Sequence, residues 1–270
     1  MKVTLITVCR NAAGVLADTL DSILAQDHAD LETIVIDGAS TDGTPDLLAR
    51  YRGRLTHVVS EPDKGIYDAM NKGLRLATGE VIGFVNAGDL LMGPGTITEV
   101  VRAFDHSGAD AVYGDIIMVD ELDVHRIRRV WRSGTYRRTR FRGGWMPPHV
   151  ATFFRKSVYD RFGHFRDDLR IAADYEILFR FLYKERVPVQ HLPSLLVRFR
   201  LGGMSNGSIA RILKTNAEVR RSWGLNGLQA PPLLVTRKLW SKVMQTLLRD
   251  QRTTETSTGA HDASSSARNR

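Results

Sequence analysis

Four aspartates in this 270-residue sequence stand where a side chain could do chemistry. Asp37 follows the apolar run 31–36 and opens the turn Asp37-Gly38-Ala39-Ser40-Thr41-Asp42-Gly43. A carboxylate there is placed to accept hydrogen bonds from a nucleobase or ribose, or simply to hold the turn and cap the next helix. Ligand contact is the expectation for Asp37 and capping for Asp42. Asp63 and Lys64 occupy the next polar turn, between the breakers Pro62 and Gly65. Asn86-Ala87-Gly88-Asp89 ends a short apolar run at 81–85, displaying polar groups where a strand stops. Asp174 and Glu176 open a helical stretch at 172–183, where capping and the helix dipole already favour acids.

Strands and helices must position these groups. The runs 3–8, 31–36, 55–59 and 81–85 read as buried strands. Helices are expected between them, one capped by Asn11 and reaching Gln26, one started by Pro45, and one carrying Ile66, Ala69, Met70, Gly73, Leu74 and Ala77 at helical spacing. Strands alternating with helices through short turns predict an α/β fold with a doubly wound, mostly parallel central sheet. Right-handed crossovers then bring 8–11, 37–43, 60–65 and 86–89 to one edge, where open α/β sheets bind ligands. Beyond Phe104 the alternation loosens. Strands are expected at 111–119, 126–131, 150–154 and 187–199, with a further helix at 209–223.

Several of these segments, in order, resemble family 2 glycosyltransferases of the GT-A fold. They are VCRNA, ETIVIDGASTDGT, SEPDKGIYDAMNKGLRLATGEVIGFVNAGD and ADYE, and the resemblance spans residues 2–204. It implies inverting transfer of a sugar from a nucleotide-diphosphate donor to a hydroxyl of a polysaccharide, glycolipid or lipid-linked acceptor. Asp37 would hold the nucleoside, with Thr7, Arg10 and Asn11 lining the same pocket and Asp63 near the ribose. Lys64 would touch phosphate, and Asn86 would border the donor. Asp174 would be the catalytic base and Asp89 the metal ligand. Many family members present Asp-x-Asp-Asp where this chain has Asn86-Ala87-Gly88-Asp89, so one carboxylate with phosphate oxygens and waters would have to hold Mg²⁺ or Mn²⁺. His149, after a Pro-Pro loop, would bond phosphate or a hydroxyl, and Trp145 would offer a face to a sugar ring.

On this reading residues 1–230 form the GT-A domain, with 1–105 the nucleotide-sugar half and 106–230 the acceptor half. Residues 231–250 form a basic amphipathic helix, packed on the domain or lying at a membrane interface, and 251–270 a disordered tail. The formal charge of +8 is local: eight arginines and no acid lie in 125–142. That run reads either as a solvated ribbon or as a face for lipid phosphate or an anionic membrane. Cys9 is the only cysteine, no apolar run approaches the ~18–20 residues that span a bilayer, and the N-terminus lacks a signal peptide's layout. A cytoplasmic location follows, peripheral on the inner face of the plasma membrane if the basic segments bind lipid. A nucleotidyltransferase is the alternative enzyme. A dinucleotide fold would want G-x-G-x-x-G after the first strand, and none is present. An arginine-rich nucleic-acid module is the non-enzyme alternative, but the run lacks a known motif and no nucleic-acid partner is expected.

Overall fold

The computed structural model of the chain describes residues 1–202 and 209–232. The expected amphipathic helix and tail beyond them, and most of the 202–206 loop, lie outside the described residues. The order is β1 (Val3–Cys9), α1 (Leu16–Leu24), β2 (Leu31–Asp37), α2 (Thr44–Tyr51), β3 (His57–Ser60), α3 (Ile66–Leu76), β4 (Val81–Phe84), β5 (Leu90–Leu91), α4 (Thr96–Ser107), β6 (Ala111–Val119) and β7 (Ile127–Trp131). Two 3₁₀ turns (Arg138–Gly143 and His149–Ala151) lead to β8 (Thr152–Arg155), α5 (Lys156–Phe162), α6 (Ala173–Leu178), β9 (Val189–Arg200) and α7 (Ile209–Leu225).

These strands form a nine-stranded sheet ordered β3-β2-β1-β4-β8-β6-β9-β5, with β7 paired to β6. β3, β2, β1 and β4 are mutually parallel, so their carboxyl ends share one edge as expected. β8 enters antiparallel between β4 and β6. β6 therefore runs parallel to β4 again, and β9 runs parallel to β6. One sheet face packs α3, α5, α6 and α7 around Ile6, Val8, Phe84 and Phe154. The other packs α4 around Val3, Leu5, Val100 and Phe104, while α1 and α2 close a corner around Leu16, Leu20 and Leu48.

Two helices differ from expectation. Asn11 does not cap α1: it takes a left-handed backbone (φ 51°), and its Oδ1 accepts the N–H of Thr41 at 2.9 Å. α1 accordingly begins only at Leu16. The stretch 172–183 is α-helical only to Leu178 and continues as a π-helix, Phe179–Lys184. There Tyr175, Phe179 and Tyr183 stack successively at 5.9 and 5.0 Å, with Trp223 of α7 at 4.5 Å from Phe179. Ring packing sets the local winding.

The opposite edge is tied by one buried carboxylate. Glu32 of β2 accepts from Thr4 Oγ1 (2.6 Å), Thr78 N (2.8 Å) and Thr78 Oγ1 (2.6 Å), and pairs with Lys2 at 3.2 Å. Burial works to raise its carboxyl, but these donors outweigh it and hold it at about 2 against an ordinary 4.5. A carboxylate with a depressed native pKa adds stability above its unfolded value and loses it as pH falls toward the native one. Glu32→Gln should therefore cost about 1–3 kcal/mol at neutral pH in urea unfolding. The gap from wild type should close as pH drops from about 4.5 toward 2.

Candidate active site

The parallel edge is built around Asp37, which is fully buried. Its carboxylate accepts from Ser40 N (3.3 and 3.2 Å), from the Ser40 hydroxyl, from Ser60 Oγ (2.6 Å) and from the Cys9 thiol (3.8 Å). Burial, reinforced by Asp37, pushes that thiol up to about 12, so Cys9 is neither nucleophile nor ligand. Asp37 is thus a knot joining the ends of β1, β2 and β3. Asp42 holds the turn, accepting Thr44 N (3.0 Å) and Ala13 N (3.2 Å), while the cap position of α2 is Gly43 and carries no side-chain cap bond.

Above the knot, Gly38 permits the close approach of two charged side chains. A Cβ there would collide with the carboxylate of Asp63 and lie 3.4 Å from Cδ of Arg10. Arg10 and Asp63 therefore converge over a residue that must lack a side chain. Asp63 also accepts Gly65 N at 2.9 Å, which shapes the turn before α3. Lys64 is exposed beside it, and Thr7 Oγ1 is buried on β1 with no partner.

Asp174 begins α6 and is half-buried. Tyr67 of α3 donates to Ile171 O (2.8 Å) and approaches Asp174 Oδ1 at 3.4 Å, while Tyr175 N donates to Oδ1 at 2.7 Å. Burial, with Asp174 nearby, raises the Tyr67 phenol, which stays a donor. Glu218 of α7 caps the segment ahead of α6, accepting Ile171 N (2.8 Å), Ala172 N (3.0 Å) and Arg170 N (3.3 Å). Asn71 of α3 makes two bonds to the backbone of Phe165, at 2.9 and 3.0 Å. The Phe165 ring then touches Tyr67 (5.8 Å), Phe84 (5.3 Å) and His149 (5.4 Å). One continuous stack thus joins the helix of Asp174 to the end of β4. Glu176 has no ligand role: it is buried, paired with Arg180 at 3.0 Å and bonded to Asn226 at 2.9 Å.

The Asn86–Asp89 turn departs from expectation. Asp89 is 4% exposed, and its Oδ1 accepts Arg200 N at 3.2 Å. Burial pushes its carboxyl up to about 8 against the pull of Arg200. Asn86 adds a single amide oxygen, buried and without a partner. Among the described residues no group of three or more His, Cys, Asp or Glu could hold a metal ion. Asp89 and the Asn86 amide oxygen are the hard donors at this turn, so a divalent ion here would need diphosphate oxygens and waters to complete its shell.

His149 lies inside the ring stack: it is 8% exposed, lies against Phe84 (5.4 Å) as well as Phe165, and burial pulls its pKa down to about 4. Trp145 has the Arg140 guanidinium 4.2 Å over its ring, which covers one of its faces.

A family model described as "Glycosyl transferase family 2" matches residues 4–163, more than half of the chain. The chain belongs to glycosyl transferase family 2. This family 2 glycosyltransferase is 31% identical over 201 residues to a PGL/p-HBAD biosynthesis glycosyltransferase of Mycobacterium tuberculosis, covering 73% of this chain and 76% of the relative. A second M. tuberculosis protein, an uncharacterized glycosyltransferase, is 32% identical over 66% of this chain and 68% of its own length. Its fold, GT-A, is that of TarS from S. aureus, solved with UDP-GlcNAc (TM-score 0.67, 20% identity, 88% of this chain and 69% of that one). A mannosyltransferase from Pyrobaculum calidifontis, solved with GDP-Man and Mn²⁺, is similar too (TM-score 0.62, 21% identity, 88% and 68%).

Sequence reasoning missed Glu218 and Arg200 in this glycosyltransferase. Glu218 is one charge on a helix face with no local mark, and Arg200 acts across 111 residues of chain. Neither leaves a spacing signal.

The buried His149 predicts an acid limit. With a native pKa of about 4 against an ordinary 6.5, the unfolded chain binds the extra proton first. Stability should hold above about 6.5 and fall as pH drops toward 4. His149→Gln should flatten that limb of a thermal-unfolding profile.

Proposed function

We propose that this glycosyltransferase moves a sugar from a nucleotide-diphosphate sugar to a hydroxyl of a polysaccharide, glycolipid or lipid-linked acceptor, with inversion at the anomeric carbon. The observation that carries the reading is Asp174, a half-buried carboxylate held in one orientation beside the carboxyl edge of the parallel strands. Direct displacement needs such a group. As the acceptor oxygen bonds to the anomeric carbon, its proton passes to Asp174 and the bond to the diphosphate breaks, releasing nucleoside diphosphate. Tyr67 and Glu218 serve by fixing the base, since a carboxylate free to rotate loses the aligned geometry that proximity effects require.

The donor would lie along the same edge. Asp37 and Ser60 build its floor, and Gly38 lets Asp63 and Arg10 close over that floor toward the nucleoside. Asp63 and Asn11 border the donor, with Thr7 beneath and Asn86 at the next strand end. Arg10 and Lys64 are the cations available to the diphosphate. The nucleotide sugars named for TarS and the Pyrobaculum mannosyltransferase support this donor class. Mg²⁺ or Mn²⁺ belongs to the reading only as a companion of the bound diphosphate.

Asp174→Asn should lower turnover by about 10²–10⁴-fold while nucleotide-sugar affinity, measured by calorimetry, stays near wild type. Near-normal turnover would remove Asp174 from the role. Donor affinity measured with manganese and with chelator tests the metal: affinity should be stronger with manganese and Asp89→Ala should remove that difference, whereas equal affinity in both would take the ion out of the reading.

A further inference from the structure

The mixed half of the sheet carries a projecting hairpin. Among the described residues β7 pairs only with β6, and the register shifts between Met118 and Val119. Val119 faces Ile127, but Met118 faces Arg129, so Arg128 is an extra residue in the strand. Val130 then faces Ile117. Direct cross-strand partners share a face, and so do alternate residues of one strand. Ile127 and Val130, three residues apart, therefore emerge on the same face because of the bulge.

Both are exposed, at 54% and 44%, and Leu122 in the connecting turn is 92% exposed. Six large hydrophobics among the described residues are exposed, and three of them fall in this hairpin. Single exposed apolar residues are ordinary; a cluster on one projecting face marks an interaction surface.

The hairpin's acids, Asp120, Glu121 and Asp123, are confined to its turn, and the basic excess lies in β7 and the segment after it, 126–142. Arg128 is spent on Asp120, Arg132 on Asp115 (3.3 Å), Arg138 on Tyr183 O (2.7 Å) and Arg140 on Ser133 O (2.9 Å). Arg126, Arg137 and Arg142 are exposed and make no side-chain hydrogen bond or ion pair among the described residues. The turn's acids serve the turn: Asp123 accepts His125 N at 2.9 Å, Asp120 accepts Leu122 N at 3.0 Å, and the Glu121 side chain lies against Gly202.

We infer that the β6–β7 hairpin and the basic segment after it dock on an anionic lipid bilayer. Ile127 and Val130 enter the interface while Arg126, Arg137 and Arg142 meet lipid phosphates. Aliphatic rather than aromatic exposed side chains argue against single-stranded nucleic acid, which is gripped by stacking. A second copy would set like-charged edges against each other. The proposal does not depend on the transfer mechanism.

Co-sedimentation of the full chain with vesicles tests it, using phosphatidylcholine alone and an equal mixture with phosphatidylglycerol. Binding to the mixture but only weakly to phosphatidylcholine is expected, falling with salt. Ile127→Ser with Val130→Ser should weaken binding about tenfold or more. Arg126→Gln, Arg137→Gln and Arg142→Gln together should abolish the preference for the anionic mixture. All these variants should keep wild-type thermal stability and nucleotide-sugar binding, which separates this result from failure of the transferase reading. The proposal is overturned if the chain ignores the mixed vesicles, or if the variants bind like wild type, which would move attachment to residues 233–250. Dimerisation abolished by Ile127→Ser, or a nucleic-acid complex abolished by the arginine changes, would also overturn it.

Discussion

A buried carboxylate without a partner cation is the constraint on which the donor edge depends. Asp37 has no solvent contact, so every lost water contact must be replaced by a protein donor. Three segments supply them: the thiol from β1, the N–H and hydroxyl of Ser40 from the following turn, and the Ser60 hydroxyl from the end of β3. Moving any of these away leaves a charge unsolvated in the interior, a larger cost than a lost surface contact. The three strand ends are thereby held in register. The turn is drawn down so that Gly38 lies beneath Asp63 and Arg10. The closeness of Asp63 and Arg10 over that glycine follows from satisfying one oxygen pair below it.

The second half of the molecule depends on a different constraint, the reversed direction of β8. Its antiparallel entry carries the 3₁₀ turn at His149–Ala151 to the carboxyl end of β4, beside Phe84. That edge is where the parallel strands display their turns. Phe165 fills the gap between His149, Phe84 and Tyr67, and the segment leading to Asp174 is held against α3 by Asn71. Burial of His149 and exposure of Asp174 are two outcomes of one packing arrangement: the rings exclude water from the first and leave the carboxylate at the border.

The parallel half was legible because its signals are local. Apolar runs of strand length, Pro45 at a helix start and oxygen-rich turns each mark their own element, and crossover handedness puts their ends together. Position was legible for Asp37 and Asp174, but not what their oxygens touch. Ser60 approaches Asp37 from 23 residues away, and Glu218 reaches the Asp174 segment from another helix. Asn11 reads as a helix cap by type, yet a tertiary bond to Thr41 takes its side chain. The arginine run was legible as a basic excess but not residue by residue, since charge counts ignore pairing: Asp115, Asp120 and the carbonyls of Ser133 and Tyr183 absorb part of it.

Gly88 shows how a residue that looks like a missing ligand can be required for another reason. Its φ of 100° lies where side chains are strained. Its N–H bonds Thr19 Oγ1 at 2.9 Å, and its carbonyl accepts Arg200 Nε at 3.1 Å. The Arg200 guanidinium also reaches the carbonyl of Glu121 at 3.1 Å and the carboxylate of Asp18. An acid at position 88 would need a different backbone and would stand beside Val15 and Arg200. The turn is therefore built to seat an arginine, and Asp89 is buried as part of that seat, its oxygen on the Arg200 backbone. Because its guanidinium is paired with the Asp18 carboxylate and two carbonyls, Arg200 acts here as a clasp joining α1, the 86–89 turn and the turn after β6 rather than as a free charge.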